Sequence, residues 1–349
     1  MKRIKIGQRF IGDREPCFII AEAGVNHNGD VRLAKKLIDA AQKAGADAVK
    51  FQTFKAETVV SATAEKAGYQ KETTGADESQ LDMLKRLELT ESQFTELARY
   101  ARQKGIMFLS TGSDPGSVDF LDELNMPAFK VASGEITNLP LLTHIARKRK
   151  PVILGTGMST LEEIEYALQA MRKEGAKDII LLHCVSAYPA KIEDTNLRAM
   201  ETLRKAFHVP VGLSDHTTGI TVPIAAAALG ACVIEKHFTL DKTLPGPDHR
   251  ASLDPGELAE MVRSIRLVEK ALGNGVKKPT PTEEENKKVM RRSLTARVAI
   301  PRGTVITADM IDIKRPGTGI SPAELEKVIG RKASKSISQE EVLTWDKVD

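Results

Sequence analysis

Eight short apolar segments alternate with helix-forming stretches between residues 18 and 238, and this alternation limits the folds that the chain can adopt. Each segment is continuously apolar, which is typical of a parallel strand buried on both faces. Eight such strands with helices between them, over about 250 residues, predict an α/β fold, the (β/α)₈ barrel. A doubly wound open sheet is the alternative, but no GxGxxG motif opens the first helix. The segments are FIIAEAG (18–24), DAVKFQT (47–53), IMFLST (106–111), AFKVASGE (128–135), PVILGTG (151–157), DIILLHC (178–184), VPVGLSD (209–215) and CVIEKHF (232–238).

Residue patterns in the sequence predict where two helices begin, one between the second and third segments and one after the last. Thr90 followed by Gln93 has the pattern of a capping box. Asp254, Pro255 and Glu257 supply an N-cap, a proline at the first helical position and a glutamate at the third. Helices are therefore expected to begin directly after Thr90 and after Asp254.

The character of the sequence changes after residue 272. The range 273–289 is rich in Gly, Pro, Thr and charged residues, and is predicted to be a linker. It separates a barrel domain over 1–272 from a small β-rich domain over 290–349. Within the barrel domain, 54–89 is too long for an ordinary strand-to-helix loop and is expected to cover the top of the barrel.

Composition excludes several classes of protein. The 51 basic and 47 acidic residues give a net charge of +4, and aromatic residues make up 4%, so we expect no nucleic-acid partner. No apolar stretch is long enough to span a membrane, and the first residues lack the apolar core of a secretory signal. Cys17, Cys184 and Cys232 lie far apart with no CxxC motif, which indicates reduced, buried thiols. A cytoplasmic enzyme or binding protein, with no membrane partner, is expected.

Polar residues collect at the carboxyl ends of the predicted strands, where a barrel carries its active site. Lysines and hydroxyls that converge there suit a phosphorylated anion, while acids and imidazoles suit proton transfer or metal binding. His216 and His237 end neighbouring strands and could bind one divalent ion, for which Mn²⁺, Fe²⁺, Co²⁺ and Zn²⁺ are all suited. The polar strand-end residues are Glu22, Lys50, Gln52, Ser110, Thr111, Lys130, Ser133, Glu135, Thr156, His183, Ser214, Asp215, His216, Glu235, Lys236 and His237.

Eight motifs resemble those of the sialic acid synthase family, and the resemblance runs almost from end to end of the chain. The range 290–349 resembles the antifreeze-like (SAF) domain of that family. The stretch 69–89 is most similar to the branch that makes N-acetylneuraminic or legionaminic acid, rather than to the pseudaminic acid branch. The motifs are AEAGVNHNGD (21–30), VKFQTF (49–54), KVASGEITNLP (130–140), LHCVSAYPA (182–190), GLSDHT (212–217), IEKHFTLDK (234–242), PGPDHRASL (245–253) and KRPGTGI (314–320).

The resemblance implies an enzyme that condenses phosphoenolpyruvate with an N-acylated mannose-type sugar and releases phosphate. We expect N-acetylmannosamine as the acceptor and the nine-carbon 2-keto acid N-acetylneuraminate as the product. The alternative acceptor is 2,4-diacetamido-2,4,6-trideoxymannose, which gives N,N'-diacetyllegionaminate. The resemblance also implies a divalent metal, Mn²⁺ or Mg²⁺, held by His216 and His237. The implied assembly is a homodimer in which the SAF domain of one subunit covers the active site of the other.

The same resemblance assigns residues to the two substrates. We assign the proton transfer of the reaction to Glu135, because water must add at C2 of phosphoenolpyruvate and a new hydroxyl forms on the sugar carbon. Glu22 and Lys50 are the other catalytic candidates. Phosphoenolpyruvate would be held by Lys50, Thr111, Lys130, Ser133, Ser186 and Ser214. The sugar would be approached by Glu22, Gln52, Tyr188 and Asp248, and by Arg315 from the SAF domain of the other subunit.

One segment departs from the family pattern. Family members commonly read STPF after the third barrel strand, whereas this chain has Ser110, Thr111, Gly112 and Ser113. The change removes a proline and an aromatic ring, and with them an apolar wall. We expect it to alter the shape of the acceptor-sugar pocket more than the chemistry.

Two competing functions are weighed against this one. The first is a lysine Schiff-base aldolase on the same barrel, with Lys50, Lys130 or Lys236 as the nucleophile. The second is a non-catalytic sugar- or ice-binding protein. Charged residues such as Lys327 and Arg331 suit a flat ice-binding face poorly, and the polar barrel mouth would then have no purpose.

Overall fold

The computed structural model describes residues 3–75 and 77–349, so Met1, Lys2 and Ala76, the last within the stretch 69–89, lie outside the described residues. The chain divides into two compact units, one ending at Gly273 and the other spanning Asn274–Asp349. None of the helices in the described ranges combines the length and the apolar character needed to cross a membrane.

The first unit begins with an antiparallel pair of strands, β1 (Arg3–Ile6) and β2 (Arg9–Gly12). Eight further strands follow: β3 (Phe18–Gly24), β4 (Ala48–Thr53), β5 (Met107–Gly112), β6 (Phe129–Val131), β7 (Val152–Gly155), β8 (Ile179–Cys184), β9 (Val211–Asp215) and β10 (Val233–His237). In the part of the chain that the structure describes, these eight strands run parallel in chain order, and β10 pairs with β3 to close a barrel. The barrel expected from the sequence is confirmed, and the open-sheet alternative is wrong.

Helices connect the barrel strands, and both helix starts marked in the sequence are confirmed. The Thr90 hydroxyl accepts from the Gln93 amide at 3.3 Å, and the Gln93 side chain accepts from the Thr90 amide at 2.8 Å. Asp254 and Glu257 form the same reciprocal pair at 2.8 and 2.9 Å. The helices of this unit are α1 (Val31–Ala44), α2 (Ala56–Val59), α3 (Gly68–Thr74), α4 (Gln80–Leu87), α5 (Glu91–Lys104), α6 (Pro115–Glu123), α7 (Leu139–Arg147), α8 (Leu161–Lys173), α9 (Ala199–Phe207), α10 (Thr221–Ala228) and α11 (Pro255–Leu272).

The strand register brings the polar strand ends together at one end of the barrel. Glu22 of β3 lies opposite His237 of β10 on one side and opposite Lys50 of β4 on the other. Thr111 of β5 lies opposite Lys130 of β6. The strands and the helices around them share one apolar core, so the polar side chains are fixed on a rigid frame.

The second unit has an apolar core of its own. Its elements are α12 (Pro281–Met290), β11 (Ser293–Ala296), β12 (Ile311–Lys314) and α13 (Leu325–Val328), and β11 pairs antiparallel with β12. The buried core residues are Leu294, Ala296, Ile300, Ile306, Ile311, Ile320, Val328, Ala333, Ile337, Leu343 and Val348.

Most of α12 lies inside the range 273–289, which the sequence analysis treats as a linker. Thr280 and Glu283 form a capping box, with amide-to-side-chain distances of 3.2 and 2.7 Å, and Pro281 occupies the first helical position. These start signals outweigh the loop-like composition, because the residues after them are good helix formers.

A buried ion pair joins β9 and β10 on the outer side of the barrel. Lys236 donates hydrogen bonds to the Asp215 carboxylate and to the carbonyl of Thr217, and the two charged side chains are 0% and 2% exposed. Glu235 and His237 line a cavity inside the barrel mouth. Because side chains alternate along a strand, Lys236 points to the opposite face. It is therefore not placed to act as a Schiff-base nucleophile in that cavity.

We expect Lys236→Met to lower the free energy of unfolding by about 3–5 kcal/mol, because Asp215 would be left as an uncompensated buried charge. Urea denaturation of the purified protein measures this. The double variant Lys236→Met/Asp215→Asn should recover part of the loss, since it removes both charges. A loss of under about 1 kcal/mol in the single variant would contradict the pair's buried character.

Candidate active site

A cavity of about 250 Å³ opens at the carboxyl end of the barrel strands. It gathers eleven of the fourteen site residues that the sequence analysis proposes. They come from every barrel strand or the segment after it except β7, so the closed barrel is what assembles them. The eleven are Glu22, Lys50, Gln52, Thr111, Lys130, Ser133, Ser186, Tyr188, Ser214, His216 and His237.

Four buried charged side chains form the floor of the cavity. Lys50 Nζ lies 2.8 Å from Glu22 Oε2, 3.7 Å from Glu235 Oε2 and 3.1 Å from the Thr111 hydroxyl. Lys130 Nζ lies 3.3 Å from Glu235 Oε1. Each of these four charged side chains is at most 6% exposed, so the charges neutralise one another in a site that water barely reaches.

Burial and charge act differently on the two carboxylates. Burial raises the pKa of Glu22 to about 7, with Lys50 opposing the rise. Burial alone would also raise the pKa of Glu235, but Lys130 and Lys50 lower it to about 2. Burial lowers the pKa of Lys50, yet Glu22 and Glu235 outweigh this and raise it above its usual value. Lys50 is thus held as an ammonium, which is a good anion ligand and a poor Schiff-base nucleophile.

A second wall of the cavity consists of small hydroxyl and thiol groups. Gly157 donates its amide to the Ser133 hydroxyl at 2.9 Å and to Cys184 Sγ at 3.1 Å, and these two side-chain atoms are 2.9 Å apart. A Cβ on Gly157 would lie 2.4 Å from the Ser186 hydroxyl and 3.1 Å from the Ser133 hydroxyl, so a larger residue here would force these side chains to move. The Gly157 amide thereby fixes one of the hydroxyls that the sequence analysis assigns to a phosphate, that of Ser133.

The two imidazoles lie together, as their places on neighbouring strands predict. The ring centroids of His216 and His237 are 5.6 Å apart. His216 donates its Nδ1–H to the carbonyl of Val185 at 2.7 Å, so the lone pair of the ring is on Nε2, which lies 3.5 Å from the Ser214 hydroxyl. His237 Nδ1 is buried without a hydrogen-bond partner, 3.8 Å from Asp248 Oδ2. Burial lowers the pKa of both rings, which favours the neutral, metal-binding form.

This pair suits a divalent ion that keeps open positions. No group of three or more His, Cys, Asp or Glu side chains in 3–75 and 77–349 is arranged to hold a metal. An ion at His216 and His237 would therefore take its other ligands from water or substrate, which is the arrangement that a catalytic metal needs.

Three proposed site residues do not line the cavity. Asp248 is buried just behind His237, and burial raises its pKa to about 6. Glu135 follows β6 in a single 3₁₀ turn, where its carboxylate accepts from the Asn138 side chain at 2.7 Å. Arg315 belongs to the second unit, where it is exposed.

The cavity also contains residues to which the sequence analysis gives no role. Glu235 is among the polar strand ends, yet only the register shows that it lies between two lysines and accepts from the Ser214 hydroxyl at 2.9 Å. Ser113 and Met158 form part of the rim, and Met158 is 74% exposed. A Cβ on Gly112 would lie 3.0 Å from Val118 Cγ2, so a larger residue here would push against helix α6.

Two family models match the chain. Residues 37–277 match the NeuB family and residues 291–349 match the SAF domain. The first match covers more than half of the chain, so the chain belongs to the NeuB family, whose members are phosphoenolpyruvate-dependent condensing enzymes and are generally metal-dependent. The protein is an enzyme of this class, and the aldolase and the non-catalytic alternatives are wrong.

Individual relatives are similar to the chain over most of its length. The chain is 49% identical over 342 residues to the N,N'-diacetyllegionaminic acid synthase of Legionella pneumophila, covering 97% of this chain and 96% of the relative. It is 40% identical over 344 residues to the human N-acetylneuraminate-9-phosphate synthase, covering 98% and 95%. The crystal structure of the N-acetylneuraminic acid synthetase of Leptospira borgpetersenii is similar with a TM-score of 0.74 at 38% identity, covering 82% of this chain and 95% of that one.

We expect Glu22→Gln to lower kcat by about 10²–10⁴-fold, because this carboxyl lines the cavity and can hold or release a proton there. Phosphate release from phosphoenolpyruvate measures the rate. Glu135→Gln is the comparison, and its loss should be the smaller one, since the Glu135 carboxylate is bound by Asn138 outside the lining. A larger loss in Glu135→Gln than in Glu22→Gln would return the proton-transfer role to Glu135.

Proposed function

We propose that the enzyme condenses phosphoenolpyruvate, water and 2,4-diacetamido-2,4,6-trideoxymannose into N,N'-diacetyllegionaminate and phosphate. The observation that carries this choice is the 49% identity to a legionaminic acid synthase, against 40% to the N-acetylneuraminate-9-phosphate synthase, at nearly equal coverage. N-acetylmannosamine, which the sequence analysis expects as the acceptor, is the second candidate.

The wall after β5 supports the diacetamido sugar on physical grounds. The two sugars differ at C6, where only N-acetylmannosamine carries a hydroxyl, and at C4, where it carries a hydroxyl and the other sugar a larger acetamido group. Gly112 and Ser113 replace a proline and an aromatic ring, and Ser113 lines the cavity. The smaller wall leaves room for the second acetamido group, and the Ser113 hydroxyl can form a hydrogen bond with it.

We assign phosphoenolpyruvate to the part of the cavity with lysines and hydroxyls. Lys50 and Lys130 supply the positive charge, and hydroxyls on Thr111, Ser133, Ser186 and Ser214 can donate to phosphate oxygens. Because these groups stand on the barrel strands or on the segments directly after them, they are positioned before the substrate arrives. The phosphate is thereby oriented for cleavage of its C–O bond.

We assign proton transfer to Glu22, with Glu135 as the competing candidate. As C3 of phosphoenolpyruvate bonds to the sugar aldehyde carbon, positive charge develops at C2, and water adds there. The former aldehyde oxygen gains a proton and the added water loses one. Glu22 lines the cavity beside Lys50, so its carboxyl is in reach of a substrate bound there. The Glu235 carboxylate lies nearby and can offset positive charge at C2.

We assign a divalent ion, Mn²⁺ or Mg²⁺, to His216 and His237. When bound, such an ion supplies Lewis-acid polarisation of a carbonyl oxygen. The chain's part is to present neutral imidazoles: the Val185 carbonyl fixes the tautomer of His216, and burial keeps His237 unprotonated. Gln52 and Tyr188 line the same cavity and, with Asp248 behind His237, would face the sugar.

We also propose the homodimer, with the SAF domain of one subunit over the active site of the other. Arg315 is exposed, and its Nε donates to the carbonyl of Met290 at the end of α12, at 3.0 Å. This bond fixes the stem of the side chain. The two Nη groups can then bind a carbonyl oxygen of the sugar's acetamido group.

The function is tested by phosphate release from phosphoenolpyruvate with Mn²⁺, comparing the two sugars side by side. We expect kcat/KM for the diacetamido sugar to exceed that for N-acetylmannosamine by about tenfold or more. An EDTA-treated sample is the control for the metal. A preference for N-acetylmannosamine would identify an N-acetylneuraminate synthase instead, and release with neither sugar would refute both assignments.

The proposed role of the Ser113 wall has its own test. Ser113→Phe should lower kcat/KM for the diacetamido sugar by about tenfold relative to N-acetylmannosamine, because the ring would occupy the space for the C4 substituent. Ser113→Ala is the matched control, since it removes the hydroxyl but adds no bulk. Equal losses for both sugars in Ser113→Phe would place the C4 group elsewhere.

A further inference from the structure

An aromatic column connects the segment after β4 to the imidazole pair. We call the described part of this segment, residues 54–75 and 77–89, the roof. The Tyr69 ring, on helix α3 of the roof, lies 5.1 Å from the Tyr188 ring between centroids. Tyr188 in turn lies 4.2 Å from His216 and 5.7 Å from His237. Tyr69 therefore contacts a cavity residue from outside the barrel strands.

A buried lysine holds Tyr69 in this place. The Lys66 side chain is 1% exposed, and its ammonium donates to the Thr74 hydroxyl at 2.9 Å, the Gly75 carbonyl at 3.1 Å and Glu78 Oε2 at 3.0 Å. These three acceptors lie at and beyond the end of α3, while Lys66 precedes its start. The lysine thus clamps both ends of the helix that carries Tyr69.

The clamp is itself tied to the barrel. Glu78 also accepts two hydrogen bonds from Arg86 of α4, at 2.7 and 2.8 Å. The neighbouring residues Met83 and Leu87 are buried in a small apolar cluster with Val25 and Phe54, which follow β3 and β4. A chain of contacts therefore runs from the barrel through α4 and Lys66 to α3.

We propose that Tyr69 is a positioning residue for acceptor-sugar binding: it holds the Tyr188 ring against the imidazole pair, and the Lys66 clamp holds Tyr69. A rotated Tyr188 ring would lose its contact with His216 and leave the sugar side of the cavity without a wall. Of the groups assigned to phosphoenolpyruvate, Lys50, Lys130, Thr111 and Ser133 lie on or directly after β4, β5 and β6, away from the strands that carry this column. The inference rests on the proposed function in one respect, that Tyr188 faces an N-acylated mannose-type sugar.

The experiment is steady-state kinetics of phosphate release on the full-length metal-loaded enzyme. Tyr69→Ala should raise the KM for the preferred sugar by about tenfold, a loss of the size that an aromatic pair supports, while the KM for phosphoenolpyruvate changes less than twofold. Tyr69→Phe, which keeps the ring, should restore the sugar KM to within about threefold of the wild type. Equal shifts in both KM values, or none, would overturn the proposal.

The clamp is tested with a matched pair of lysine variants. Lys66→Met should reproduce the raised sugar KM with little change for phosphoenolpyruvate. Lys71→Met is the control. It removes a lysine of helix α3 that pairs only at the surface, with Glu65 at 2.7 Å. If Lys66→Met and Lys71→Met have the same sugar KM, the Lys66 clamp does not position Tyr69.

Thermal melting separates this inference from the proposed function. The fall in melting temperature of Tyr69→Ala/Tyr188→Ala should be smaller than the sum of the falls in the two single variants, because both lose the same contact. If the wild type releases phosphate with neither sugar, the proposed function fails, and the melting comparison still tests whether Tyr69 and Tyr188 support each other. Additive falls in melting temperature would then refute that contact.

Discussion

Mutual neutralisation of four buried charges at the barrel mouth is the interaction on which the rest of the site depends. Moving a single carboxylate or ammonium out of water costs several kcal/mol, and only a close partner of opposite sign offsets this. Glu22 and Lys50 stand on the neighbouring strands β3 and β4, whereas Glu235 of β10 meets Lys50 of β4 and Lys130 of β6 only across the closed barrel. The full set of charges is therefore assembled only when the barrel closes.

The same arrangement prepares the site for an anion. Lys50 and Lys130 already share Glu235, so a bound phosphate competes with a carboxylate of the protein rather than with bulk water. The phosphate gains from a site of low dielectric, and the raised pKa of Lys50 keeps that ammonium charged without a substrate. Binding energy then goes into orientation, which is what a condensation between two substrates requires.

The sequence predicts the barrel and most of the cavity because both follow from position along a strand. Polar residues at the carboxyl ends of buried strands mostly face the mouth, and this places residues such as Lys130 and His216 correctly. Lys236 and Asp215 instead face outward and pair with each other. Position along a strand does not reveal neighbours across strands, so the position of Glu235 between two lysines is visible only in the register.

Segments without a strand period are harder to predict. The roof has no apolar period that fixes where Tyr69 points, and the Lys66 clamp joins residues on both sides of a short helix. For α12, composition suggests a linker, while the cap at Thr280 and Glu283 decides for a helix. Local hydrogen bonds determine the structure in both cases.

The outer pair between Lys236 and Asp215 has a consequence for folding. Strand β10 reads Glu235, Lys236, His237, so opposite charges stand on opposite faces at consecutive positions. A slip of β10 by one residue would exchange the two faces. The lysine would then enter the mouth, and a carboxylate and an imidazole would be forced between strands and helices with no partner. The strand's own charge order thus penalises a one-residue slip of β10 before any substrate binds.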